Sequence, residues 1–143
     1  MSIMSRLAAE WALRSFGGLH VTNIPERSLR TVEEAIELCQ SLNVPKEKVL
    51  LAVETVYSRP IGSPMQEIGG VLLTTAILCE VLKVEPDDML EMELARVLSK
   101  TKEHMEARNK EKLALGLGCE DSNPVPEQFR KAAAPPSKII KAS

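Results

Sequence analysis

Aromatic side chains are scarce in this chain of 143 residues, of which they make up 3%. So few rings exclude the stacking platforms with which proteins hold single-stranded nucleic acid. The formal net charge of −2 also lacks the cationic excess of a general nucleic-acid binder. We therefore expect no nucleic-acid polymer among the partners of this protein.

Paired metal-ligating residues of the zinc type are also missing. The three cysteines, Cys39, Cys79 and Cys119, show no Cys-x-x-Cys spacing. Neither histidine, His20 or His104, has a second ligand residue three or four positions further along the chain. These spacings indicate neither a zinc site nor a disulfide framework, and they fit free thiols in a reducing compartment.

No segment is typical of a leader peptide or a membrane span. The first residues carry Arg6 and Glu10 and lack the apolar core of a signal peptide. The longest uncharged run, residues 68–79, has 12 residues, whereas about 20 are needed to cross a bilayer. We therefore expect a cytoplasmic protein without membrane contact.

What the chain does have is apolar residues at helical spacing. The hydrophobic fraction of 44% is enough for the core of one domain. No stretch combines strand-like alternation with turn residues. The pattern predicts an all-α bundle of about five helices in a domain of residues 1–116, followed by a disordered tail of residues 117–143. The expected helices cover about residues 4–16, 26–42, 45–59, 64–83 and 86–115.

Local signals support these boundaries. Asn43 is typical of a helix C-terminus, and Ser63 with Gln66 forms a capping-box pattern at the start of the fourth helix. The tail contains four prolines, which favours disorder. The pattern Leu-Cys-x-x-Leu-x-Val occurs at residues 38–44 and again at 78–84. It indicates either a duplicated helical hairpin or two helix ends built under the same packing rules.

Carboxylates are concentrated in the segment Glu33-Glu34-Ala35-Ile36-Glu37. A helix advances about 100° per residue, so Glu34 and Glu37 lie within about 100° of Glu33, beside an apolar stripe. Glu67 precedes the uncharged run 68–79, which we expect to be a buried helix. Carboxylates crowded at a core repel one another unless a cation lies between them, and oxygen ligands favour Mg²⁺ or Mn²⁺. The alternative is a salt-bridged surface helix with an exposed Glu67.

The order of these motifs resembles the MazG-like all-α nucleotide pyrophosphohydrolases. Residues 30–38 are similar to the family's first acidic motif, and residues 66–73 to its second. Trp11 and Arg14 resemble its N-terminal helix, and residues 93–108 its basic final helix. The resemblance covers roughly residues 5–110.

The resemblance implies an enzyme that splits a nucleoside triphosphate into a monophosphate and pyrophosphate, with Mg²⁺ (or Mn²⁺), as a homodimer or homotetramer. It assigns metal ligation to Glu34, Glu37 and Glu67, and catalysis to Glu33 and Glu34. The residues expected to bind substrate are Trp11 for the base and Arg30, Lys100, Lys102 and Arg108 for the phosphates. Other interpretations exist: an Arg30–Glu34 ion pair, a core position for Trp11, and a solvated helix face for Lys100 and Lys102.

The sequence departs from the family at Gly70, where the family has Asp. Glu54, Glu93 or a water would then complete the metal shell, or the site would bind one metal instead of two. The other consequence is loss of catalysis, which would leave a helical oligomerisation or interaction module. Gly69 and Gly70 together predict a helix backbone that a neighbouring helix approaches closely.

Overall fold

The computed structural model describes residues 3–17 and 21–117, and these residues form six α-helices and no strand. The helices are Ile3–Phe16 (α1), Ile24–Ser41 (α2), Lys46–Tyr57 (α3), Pro64–Leu82 (α4), Pro86–Leu98 (α5) and Lys102–Ala114 (α6). The predicted all-α fold is confirmed, with one helix more than expected. Apart from Leu117, the predicted tail lies outside the described residues.

The additional helix arises because the predicted fifth helix is interrupted. The α5 helix ends at Ser99, whose hydroxyl donates a hydrogen bond to the Arg96 carbonyl at 2.7 Å. Thr101 then forms the N-cap of α6, and its hydroxyl accepts a hydrogen bond from the His104 N–H at 3.2 Å. Serine and threonine hydroxyls compete with the helical backbone for hydrogen bonds, and they favour helix ends for that reason.

Thr101→Ala is expected to destabilise the protein by about 1 kcal/mol, because it removes an N-cap acceptor. Ser63 is the natural control. It occupies the N-cap of α4, but its side chain makes no capping hydrogen bond, so the expected capping box with Gln66 is not formed. Ser63→Ala should therefore cost clearly less than Thr101→Ala in urea unfolding, and equal losses would contradict the assignment of the α6 cap.

The repeated sequence pattern produces the same helix end twice. Asn43 after α2 and Lys83 after α4 both adopt a left-handed backbone with φ of 59°. In each copy the following valine N–H donates to the carbonyl of the cysteine five residues earlier, at 2.9 and 3.0 Å. This shared geometry agrees with both explanations of the repeat. The thiols of Cys39 and Cys79 are free and half-buried, whereas Cys119 lies outside the described residues.

The α1 helix packs against α5 and α6, and α2 packs against α3. Leu94 and Val97 of α5 and Met105 of α6 are buried. This small core fixes α5 and α6 next to the N-terminal helix. The arrangement creates the cleft described below.

The α4 helix has no buried residue, so the expected burial of residues 68–79 is wrong within one chain. Seven of its apolar side chains, which we call the α4 surface, are 50–70% exposed; they are Met65, Ile68, Val71, Leu72, Leu73, Ile77 and Val81. A Cβ atom at Gly69 or Gly70 would meet no described atom within 4 Å. The expected close approach of another helix is therefore also absent among the described residues.

The α4 helix is also longer than its uncharged run. It has 19 residues and a mean hydropathy of 1.5, and by length and composition alone it could cross a membrane. The uncharged run of 12 residues is too short to cross a bilayer, but this argument does not apply to the whole helix. Core helices of soluble proteins meet the same criteria.

Candidate functional site

A cleft of about 190 Å³ lies between α1, α2, α5 and α6. Six cationic side chains and two carboxylates contribute to its lining. The cations are Arg27, Arg30, Arg96, Lys100, Arg108 and Lys112, and the carboxylates are Glu34 and Glu93. Glu26 and Glu33 also pair with cations of the lining, so six cations face four carboxylates. The remaining excess of positive charge favours an anionic ligand.

The aromatic wall of the cleft is built on α1. The rings of Trp11 and Phe16 meet edge to face with centroids 5.5 Å apart, and the Arg27 guanidinium lies 5.6 Å from the Phe16 centroid. Arg27 Nη2 donates to Glu26 Oε1 at 2.6 Å, and Glu26 is only 1% exposed. The Asn23 side chain in turn accepts the Glu26 N–H at 3.0 Å. Stacking and a partly buried ion pair thus hold this guanidinium between α1 and the first turn of α2.

Glu33 joins the acidic helix to the basic final helix. Its Oε2 accepts one hydrogen bond from Arg30 Nη1 and one from Lys112 Nζ, each at 2.8 Å. Burial raises the pKa of Glu33, but the hydrogen bonds and charges of Lys112 and Arg30 together lower the pKa below its ordinary value. Arg30 therefore pairs with Glu33, and the Arg30–Glu34 pair considered from the sequence is not formed.

The lowered pKa of Glu33 predicts a pH-dependent contribution to stability. Because its folded-state pKa is below the unfolded value of 4.5, Glu33 stabilises the native state above that pH, and the contribution disappears as pH falls through the folded pKa. Wild type should exceed Glu33→Gln in unfolding free energy by about 1–3 kcal/mol at pH 7. Urea unfolding between pH 7 and about 3 measures the difference, and a difference that does not shrink in acid would contradict the ion-pair network.

The three carboxylates expected to hold a metal do not come together in one chain. Glu34 contributes to the cleft lining, whereas exposed Glu37 does not. Glu67 lies in the first turn of α4 with its carboxylate folded over Gly62, where a Cβ atom would collide with it. Among the described residues, no group of three His, Cys, Asp or Glu side chains is arranged to hold a metal ion. Within a single chain the residues therefore do not form the expected metal shell.

The residues expected to bind substrate are mostly brought together. Trp11, Arg30, Lys100 and Arg108 line the cleft. Lys102 instead lines a neighbouring depression and lies 3.7 Å from Glu106.

Sequence reasoning did not select eight other residues of the cleft, among them Phe16, Arg27, Arg96, Lys112 and His104. Two of them could have been found from helical spacing. Arg27 lies one turn before Arg30, and Lys112 lies one turn after Arg108, so each extends a face that was already selected.

Glu93, considered as a replacement for the carboxylate missing at Gly70, is already engaged. It accepts two hydrogen bonds from Arg96, at 2.6 and 2.5 Å. The hydrogen bond from Arg96 is the largest influence on the Glu93 carboxyl and lowers its pKa, with burial acting in the opposite direction. Glu93 therefore neutralises a cleft cation in this structure.

No protein-family model, curated protein or solved structure matches this chain. The cleft is therefore interpreted from its own residues and from the motif resemblance. Guanidinium and ammonium groups suit phosphate oxygens, and the adjacent rings offer an apolar wall for a planar group.

Proposed function

We propose that the chain is a cytoplasmic, Mg²⁺-dependent nucleoside triphosphate pyrophosphohydrolase of the MazG-like kind. The observation that carries the proposal is the convergence of five residues selected from the sequence for this chemistry. They come from three helices and the turn between α5 and α6, and they line one cleft: Trp11, Arg30, Glu34, Lys100 and Arg108.

A triphosphate is strongly anionic, so its binding needs the positive charge that this cleft supplies. The planar guanidinium forks of Arg30 and Arg108 can bind two phosphate oxygens each, and Lys100 adds a point charge. Trp11 lies on the wall formed by α1, where it would contact the base. When bound, Mg²⁺ would neutralise phosphate charge and lower the pKa of a water.

The metal site requires more than one isolated chain provides. Glu34 and Glu37 lie one turn apart on α2, but Glu67 belongs to α4, which shares no extensive contact with α2 among the described residues. We propose that assembly into a homodimer or homotetramer covers α4 and brings a Glu67 carboxylate to the acidic face of α2. No catalytic step is assigned through the metal from the single chain.

The test is release of pyrophosphate from a panel of ribo- and deoxyribonucleoside triphosphates, with Mg²⁺ and with EDTA. We expect Mg²⁺-dependent release that is lost in Glu34→Gln, and the preferred substrate in the panel identifies base and sugar. Absence of release from every nucleotide would reject the enzymatic proposal. Phosphate release without pyrophosphate would point to a different hydrolase.

Gly70 and the α4 surface favour one alternative, a helical oligomerisation or interaction module without chemistry. Glycine supplies no oxygen ligand at the position where the resembling family has Asp, and the α4 surface is apolar and exposed. An assembled protein that releases no pyrophosphate would support this alternative.

A further inference from the structure

Lys112 makes an ion pair that the proposed reaction does not use. Among the described residues, the other ion pairs join side chains one to four positions apart, whereas Lys112 and Glu33 are 79 positions apart. The side chains of Arg30, Glu33 and Lys112 are only 16%, 23% and 21% exposed. Their three-way contact lies at the junction of α2 and α6, where Arg30 and Lys112 line the cleft.

We infer that Glu33 is a positioning residue that holds Arg30 and Lys112 as a cationic pair on the cleft wall, where the pair binds phosphate oxygens of the ligand. This inference deepens the proposed function and relies on it for identifying the ligand as a nucleoside triphosphate. Long cationic side chains lose rotamer freedom when they bind a ligand. An anchor that fixes them beforehand reduces that loss.

The anchored pair keeps donors for a ligand. An ammonium group has three N–H donors and a guanidinium has five, and Glu33 Oε2 accepts one from each side chain. Arg30 Nη2 is buried and has no acceptor among the described residues. A buried donor without an acceptor costs about 1–3 kcal/mol, so a hydrogen bond from Arg30 Nη2 to a phosphate oxygen of the ligand would be favourable.

The same contacts argue against a direct chemical role for Glu33. Glu33 Oε2 accepts hydrogen bonds from both cations, so this oxygen is not available to bind a metal ion or to take a proton from water. Glu34, the next residue, contributes to the cleft lining and makes no comparable pair with Lys112. The two adjacent carboxylates therefore have different tasks, and Glu33 acts through the cations that it holds.

Binding of inorganic tripolyphosphate tests the inference. Whether Glu33→Gln weakens or tightens this binding distinguishes a positioning role of Glu33 from simple repulsion between its charge and the anion. Glu33→Gln removes a negative charge beside an anion site, so electrostatics alone would tighten binding. Loss of the anchor should instead weaken binding about tenfold, or ~1.4 kcal/mol. Isothermal titration calorimetry in EDTA measures this without turnover or metal bridging.

Two further variants serve as controls for the tripolyphosphate affinity of Glu33→Gln. Glu80→Gln removes another ion-paired carboxylate, which is 78% exposed on α4 and pairs with Lys83, and it should leave the affinity unchanged. Glu33→Asp keeps the charge on a shorter side chain and should retain part of the affinity.

A double-mutant cycle tests whether Glu33 acts through Lys112. Lys112→Met should also weaken tripolyphosphate binding, and adding Glu33→Gln to it should weaken binding by less than the two separate losses predict. Thermal unfolding of every variant establishes that it is folded. If Glu33→Gln does not fold, the inference is tested by the loss in Glu33→Asp and Lys112→Met.

Unchanged or tighter tripolyphosphate binding in Glu33→Gln would overturn the inference, as would a wild type that does not bind tripolyphosphate at all. Additive losses in the double variant would also overturn it, because Glu33 would then not act through Lys112. The outcome is separate from that of the hydrolysis assay. A protein that shows the expected binding losses but releases no pyrophosphate would keep the positioning role of Glu33 and reject the proposed reaction.

Discussion

At micromolar concentration the protein is expected to be a dimer or tetramer, and Leu72→Lys is expected to convert it to a less stable monomer. Leu72 is 66% exposed and shares one side of α4 with Ile68 and Val71, which are 55% and 50% exposed. Monomeric soluble proteins rarely expose contiguous apolar patches larger than a few hundred Å². A charge introduced into this surface would have to be buried in the assembly without a partner, which costs several kcal/mol.

Sedimentation or light scattering checks the assembly against the chain mass of 15.7 kDa. Gln40→Lys is the matched control, because it adds the same charge at an exposed polar position of α2. It should leave the assembly and the melting temperature nearly unchanged. A wild type that stays monomeric, or that binds lipid vesicles through α4, would contradict the prediction.

The fold could be predicted from the sequence where local periodicity determines it. Prolines at or beside the starts of α2 to α5 predict those starts to within about two residues. The break before α6 was missed because the charged pattern continues across it, whereas Ser99 ends α5 and Thr101 caps the start of α6. The exposure of α4 was not predictable, because apolar composition does not identify whether other helices of the same chain cover a helix.

The sequence predicted which helix faces contribute to the candidate site, but it did not predict which side chains on those faces contact one another. Helical spacing and motif resemblance selected Arg30, Glu34 and Arg108, which the structure brings into one cleft. The pairing of Glu33 with Lys112 depends on how α2 and α6 are placed relative to each other, which no spacing along the chain determines. From spacing alone Glu33 and Glu34 were equal candidates for catalysis. The structure distinguishes them, because Glu33 pairs with Arg30 and Lys112 whereas Glu34 lines the cleft.

Mg²⁺ is expected to raise the melting temperature of wild type, and Glu37→Gln is expected to abolish that rise. Glu34 and Glu37 lie one turn apart on the exposed side of α2, so their charges repel until a cation lies between them. A ligand that binds only the native state stabilises it by about 2.7 kcal/mol at one hundred times its dissociation constant. Glutamine keeps the shape of glutamate without its charge, so Glu37→Gln should fold normally and lose pyrophosphate release by at least about a hundredfold.

Glu33→Gln provides the control on the same helix, because Arg30 and Lys112 already neutralise Glu33. Its basal stability should be lower than that of wild type, but its gain in melting temperature with Mg²⁺ should be retained. Glu67→Gln should lose the gain only if assembly brings α4 to the acidic face of α2, so it also tests how the third carboxylate reaches the site. If Glu37→Gln and wild type respond identically to Mg²⁺, the acidic face of α2 does not bind the metal, and the cationic cleft must be explained by an anion bound without one.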